Sequence, residues 1–224
     1  MKMEKYDVVM PNGLGRKKTI RYKQYMYGEV DGIQKFRLDR YGCGPTTMAT
    51  ILSSLGYNLN PEDIAKMLLL DEFGNQIDFY NDLEKGRLGT RDLGFIYLLN
   101  KIICKGICDI SYDLIKLSYE HPELKKEQVL EMIKNEYMAM ICVGPHNDYY
   151  PKTFSNGGHY IAITSVNNSN NEFYVANPNN IGDNQIDCTF TYETIVSNLF
   201  SNCFDFLMIK NNQETTKVLS KKQK

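Results

Sequence analysis

The sequence predicts an α+β fold of one domain. Apolar residues recur at helical spacing through the first half of the chain, whereas the second half carries short apolar runs divided by turn signals. With 224 residues, 42% hydrophobic and 24% charged, the chain can close a full core of ordinary composition.

Taken in order, Tyr6 to Met10 reads as a strand, Pro11-Asn12-Gly13 as a turn, and Thr19 to Tyr27 as a second extended run. Behind Cys43-Gly44-Pro45, residues Met48, Ile51, Leu52 and Leu55 repeat as one buried helical face, with Pro45 expected at the first helical position and Gly56 as the stop. Asn60-Pro61-Glu62-Asp63 starts a helix running to about Leu70: a capping side chain, a proline where no N–H is needed, and acids at the positive end of the dipole. A loop at 71–89 precedes a helix capped by Thr90 and reaching Ile103; Leu124 to Tyr137 is a charged amphipathic helix.

The period then changes. Tyr137 to Val143 is a continuous apolar run closed by Gly144-Pro145, as a strand covered on both faces would be. His159 to Val166 and Phe173 to Ala176 read as strands around the turn Asn167-Asn168-Ser169-Asn170-Asn171. A short helix is expected from Thr191 to Asn198 and a last strand from Phe204 to Ile209. The chain thus divides into an arm at 1–19, a domain at 20–209, and a polar tail at 210–224 that is disordered or a solvated extension.

A formal charge of −1 offers no basic footprint for nucleic acid or anionic lipid. No export signal and no membrane-length apolar stretch is visible, so the sequence as written reads as cytoplasmic. Six cysteines (Cys43, Cys104, Cys108, Cys142, Cys188, Cys203) without an export signal are expected as reduced thiols. Cys104 and Cys108 lack zinc-ligand spacing and are expected as buried small hydrophobes; no metal and no cofactor is called for. Oligomeric state is not encoded in any pattern found.

One cysteine has the setting of a nucleophile. A helix N-terminus lowers a thiol pKa, and Gly42 and Gly44 leave room for substrate beside Cys43. Pairing the strands around the Asn-rich turn puts His159 and Asn177 opposite or diagonal to each other, so the amide oxygen can orient the imidazole as Cys-His-Asn catalysis requires. His146 competes with His159 for the role of base, while His121 lies in a charged connecting stretch. The Cys43 N–H can serve an oxyanion, with Gln24 or Gln34 as the second donor. Loop 144–158, with glycines at its ends and Tyr149, Tyr150 and Phe154 within, is expected to border the cleft.

Gln24-Tyr25, then Tyr41-Gly42-Cys43-Gly44-Pro45-Thr46-Thr47-Met48-Ala49, Gly158-His159-Tyr160-Ile161 and Val175-Ala176-Asn177-Pro178 together resemble the bacteriocin-processing (double-glycine leader) peptidase-like cysteine peptidases of the papain-like superfamily. The resemblance runs from about residue 20 to residue 208. It implies a papain-like fold, with an N-terminal helical part packed on a C-terminal antiparallel sheet. It matches Cys43 to the nucleophile, His159 to the base, Asn177 to the orienting residue and Gln24 to the oxyanion glutamine. The family more often has Asp at the position of Asn177, and losing that charge weakens thiolate–imidazolium pairing. The implied activity is hydrolysis of a peptide or isopeptide bond in a protein or peptide substrate. Glutamine deamidation or transglutamination on the same residues, and a binding module that kept the fold without catalysis, are the alternatives.

Overall fold

A computed structural model describes residues 6–12, 15–34, 36–77, 92–117, 125–144, 158–167, 169–179, 189–200 and 206–212. Two strands, β1 (Tyr6–Asn12) and β2 (Gly15–Arg21), form an antiparallel hairpin. The first strand therefore continues through Pro11 and Asn12, which were expected in the turn; in a two-stranded ribbon proline can turn its missing donor outward. A 3-10 turn at Gln24–Met26 leads to α1 (Leu38–Tyr41), too short for any periodicity to announce, and then α2 (Cys43–Ser54), α3 (Pro61–Leu69) and α4 (Asp92–Cys104).

The second half supplies β3 (Ile110–Ile115), α5 (Lys126–Lys134), β4 (Met138–Val143), β5 (His159–Val166), β6 (Phe173–Ala176), β7 (Thr189–Phe190), α6 (Tyr192–Ser197) and β8 (Phe206–Asn211). Among the described residues these strands make one antiparallel sheet of six, in the order β3-β8-β4-β5-β6-β7. The result is the α+β, papain-like arrangement. Its strands alternate cleanly between two cores. Met138, Met140, Cys142, Tyr160, Ala162, Leu207 and Ile209 face the core shared with α2, α3 and α4. Ala139, Ile141, Val143, Ile161, Ile163, Phe206 and Met208 face the other, beneath α5 and α6. Covering both faces is why β4 is apolar at every position.

Asn60 caps α3 as expected: its side chain accepts from Glu62 N and Asp63 N, and the Asp63 carboxylate returns a bond to Asn60 N. Other expectations need correction. Pro45 is the third residue of α2, not the first, because Gly42 O already accepts from Thr46 N; proline is tolerated there since first-turn N–H groups have no helical partner. Gly42 is required for space: a Cβ would lie 2.4 Å from the Leu38 carbonyl oxygen, so only glycine lets α1 run directly into α2. Cys104 is exposed, and only Cys108 is the buried small hydrophobe foreseen. The last strand reaches Asn211, since Lys210 and Asn211 still pair with Ser111 and Ile110. The Thr90 cap and the rest of the polar tail, 213–224, lie outside the described residues.

Candidate active site

Cys43 opens α2, a helix buried along almost its whole length, in which four of the five hydroxyls, all but that of Thr46, have hydrogen-bond partners. Thr50 Oγ1 accepts from Tyr22 N at 3.2 Å, Ser54 Oγ accepts from Ile20 N at 2.9 Å and donates to Ile20 O, and Ser53 Oγ donates to Leu59 O at 2.7 Å. One turn beyond the cysteine, Thr47 Oγ1 donates to the carbonyl of Tyr160 at 2.9 Å, fixing α2 against β5 beside His159.

The same bonds decide where Gln24 goes. Residue 20 lies beside residue 54 and residue 22 beside residue 50. Two extended residues and four helical ones each advance about 6–7 Å, so the chain at 24 arrives about one turn from Cys43. There Gln24 is buried, its N–H donates to Pro178 O at 3.0 Å, and its Nε2 donates to Asp39 O at 3.2 Å. Gln34 is placed elsewhere. Its exposed backbone exchanges bonds with the Gln76 side chain, at 3.1 and 3.4 Å, on the segment after α3.

His159 is the first residue of β5 and is 2% exposed. β5 and β6 pair Val166 with Phe173 beside the turn and, beyond an irregularity between Ile163 and Ser165 that shifts the register by one residue, Ala162 with Ala176; neither is the register that pairs His159 directly with Asn177. Continued past the end of β6, the second register sets residue 179 across from His159 and residue 177 diagonal to it. Both asparagines reach the ring: Asn177 Oδ1 lies 2.8 Å from His159 Nε2, and Asn179 Nδ2 lies 3.4 Å from His159 Nδ1. Asn177 Oδ1 also accepts the backbone N–H of Asn179 at 3.0 Å. A backbone N–H can only donate, so this bond fixes which atom of the Asn177 amide is oxygen. Nε2 of a neutral His159 must then carry the proton, and Nδ1 keeps the lone pair.

Burial pushes the Cys43 thiol up, against the backbone donors of Tyr160, Gly44 and Cys43 itself, although part of the residue still meets solvent. Burial pushes the His159 imidazole below its ordinary value, and the bond to Asn177 partly offsets it. Both directions favour the uncharged forms at rest. Two residues upstream of Cys43, Tyr41 joins Glu29, Arg37 and Arg40 in lining a cleft of about 680 Å3. Among the described residues no group of three metal-ligating side chains is placed to hold an ion, and no helix is long and apolar enough to cross a membrane. His121, His146 and most of loop 144–158 lie outside the described residues. Asn179 escaped the sequence reading; its signal was the second amide in Asn177-Pro178-Asn179.

Helices packed on an antiparallel sheet, with a cysteine opening the central helix, define the papain-like class. The family model of the peptidase C39-like family matches residues 21–201, and the chain belongs to that family. Membership suggests a cysteine peptidase, and with it a protein substrate. No curated protein matches the sequence.

Proposed function

We propose that the protein is a cysteine hydrolase that cleaves a peptide or isopeptide bond through a thioester on Cys43. The observation that carries this reading is the pair of bonds on Asn177 Oδ1, which leave His159 Nδ1 as a lone-pair acceptor able to take a thiol proton. As Cys43 Sγ attacks the carbonyl carbon, its proton moves to His159. The imidazolium protonates the amine as the C–N bond breaks. Water, giving a proton to His159, then attacks the thioester, releasing a carboxylic acid while the thiol recovers its proton.

Asn177 stabilises the imidazolium and holds its orientation. Gln24 Nε2 has a second N–H beyond the one given to Asp39 O, and together with the Cys43 N–H it supplies the oxyanion donors. The cleft lined by Glu29, Arg37, Arg40 and Tyr41 is where substrate chain approaches Cys43. We assign this machinery to residues 20–209.

The test is iodoacetamide alkylation of Cys43, read by peptide mass spectrometry, in wild type and His159→Ala, beside mass spectrometry of a treated protein mixture. The reading expects alkylation at pH 7 to fall by about 10²-fold in the variant, the lower end of general-base contributions, and new peptide termini to appear only with wild type. Equal alkylation in both proteins, or side-chain mass shifts of about one dalton without new termini, would sink it.

A further inference from the structure

His159 Nδ1 has one lone pair and two claimants. The proposed reaction needs it for the Cys43 proton, yet the amide nitrogen of Asn179 already stands 3.4 Å from it. With the Nε2 proton fixed by Asn177, the Asn179 amide is the donor in that contact. Such a bond stabilises the neutral ring and opposes its protonation, because an imidazolium N–H at Nδ1 would face an N–H group.

Resting on the hydrolase reading, we infer that Asn179 is a positioning residue that occupies the His159 lone pair in the resting protein and so sets the pH at which Cys43 becomes reactive. The surroundings leave that role to an uncharged group. Cys43 is the only titratable side chain in α2, Val143 of β4 stands across from His159, Asn177 and Asn179 come from the end of β6, and Gln24 comes from the 3-10 turn. Asp39 of α1 is held by Arg37, at 2.9 and 3.0 Å. Among the described residues no charge is a cause of the His159 shift. The bond therefore keeps the thiol protonated, and less open to oxidation, until the contact is broken.

The side chain of Asn179 is exposed, so substitution there removes the contact without opening the core. Alkylation of Cys43 is measured from pH 5 to pH 9 in the full chain for wild type, Asn179→Ala, Asn179→Asp and His159→Ala. At pH 6 the Asn179→Ala rate is expected to rise about threefold. The Asn179→Asp rate is expected to rise about tenfold, as for a shift of one unit, because a carboxylate at Nδ1 accepts from the imidazolium. A merely structural role would leave the midpoint of the profile in place. If His159→Ala changes the wild-type profile while both Asn179 variants superimpose on wild type, or Asn179→Ala needs higher pH, this inference fails alone. If His159→Ala changes nothing, the hydrolase reading fails and this inference with it.

Discussion

The two faces of the central sheet are held by different physics. On the α2 face, buried hydroxyls at Thr47, Thr50, Ser53 and Ser54 make directional bonds to β5, to β2 and the residue after it, and to Leu59. On the opposite face, Val129, Leu130 and Ile133 of α5 and Tyr192 and Ile195 of α6 share a core with Ile141, Ile161, Ile163 and Phe206. There Tyr192 and Phe206 stack with ring centroids 6.3 Å apart. Hydrogen bonds fail within a few tenths of an ångström, whereas apolar packing is non-directional; both faces bury apolar cores, but the face that carries Cys43 is in addition held in register.

Deleting packing should produce the largest loss. Phe206→Ala should cost about 3–5 kcal/mol in a denaturant titration, while the folded fraction keeps the wild-type pH profile of Cys43 alkylation. Thr47→Val should cost about 1–3 kcal/mol, because it strips a bond from the buried Tyr160 carbonyl. Unlike Phe206→Ala, it should also slow alkylation in fully folded protein, since it frees the helix end that carries the thiol. Ser53→Ala, more than two turns from Cys43 along α2, should cost about 1 kcal/mol and leave alkylation unchanged. A single mutation set that reversed these last two outcomes would break the comparison.

The smallest effect should be in pH. His159 is held below its ordinary value of 6.5, so the unfolded chain binds the proton more readily than the folded one. The stability present above pH 6.5 should therefore decline as pH falls from there to the depressed folded value. Chemical denaturation of His159→Gln across pH 5 to 8 should show this part of the slope removed.

Much of this was legible in the sequence for specific reasons. Asn60 with Asp63 and the asparagines around Ser169 act on their own backbone within a few residues, so α3 and the β5–β6 pair could be read from local chemistry. β3 was missed because it is an edge strand with mixed burial, and Asp113 and Ser111 blur its alternation. β7 has only two residues. At the site, the His159–Asn177 approach followed from strand pairing, but the contact with Asn179 depends on the irregularity after Ile163, which shifts the register and has no sequence mark. The resemblance favoured Gln24 over Gln34; that Gln24 comes near the start of α2 follows from the hydroxyl ladder along that helix, a tertiary feature.

The bond from Gln24 N to Pro178 O joins the segment before the first helices to the segment after β6. On a ribosome, a chain that ends before residue 177 has only the Gln24 half of that clasp and lacks the asparagine that fixes the His159 proton. The nucleophile is made early and the groups that govern it late. An enzyme assembled in this order, on the reading proposed above, carries its own delay: the thiol emerges from the ribosome long before it can be armed, and most of the chain is already made when it is.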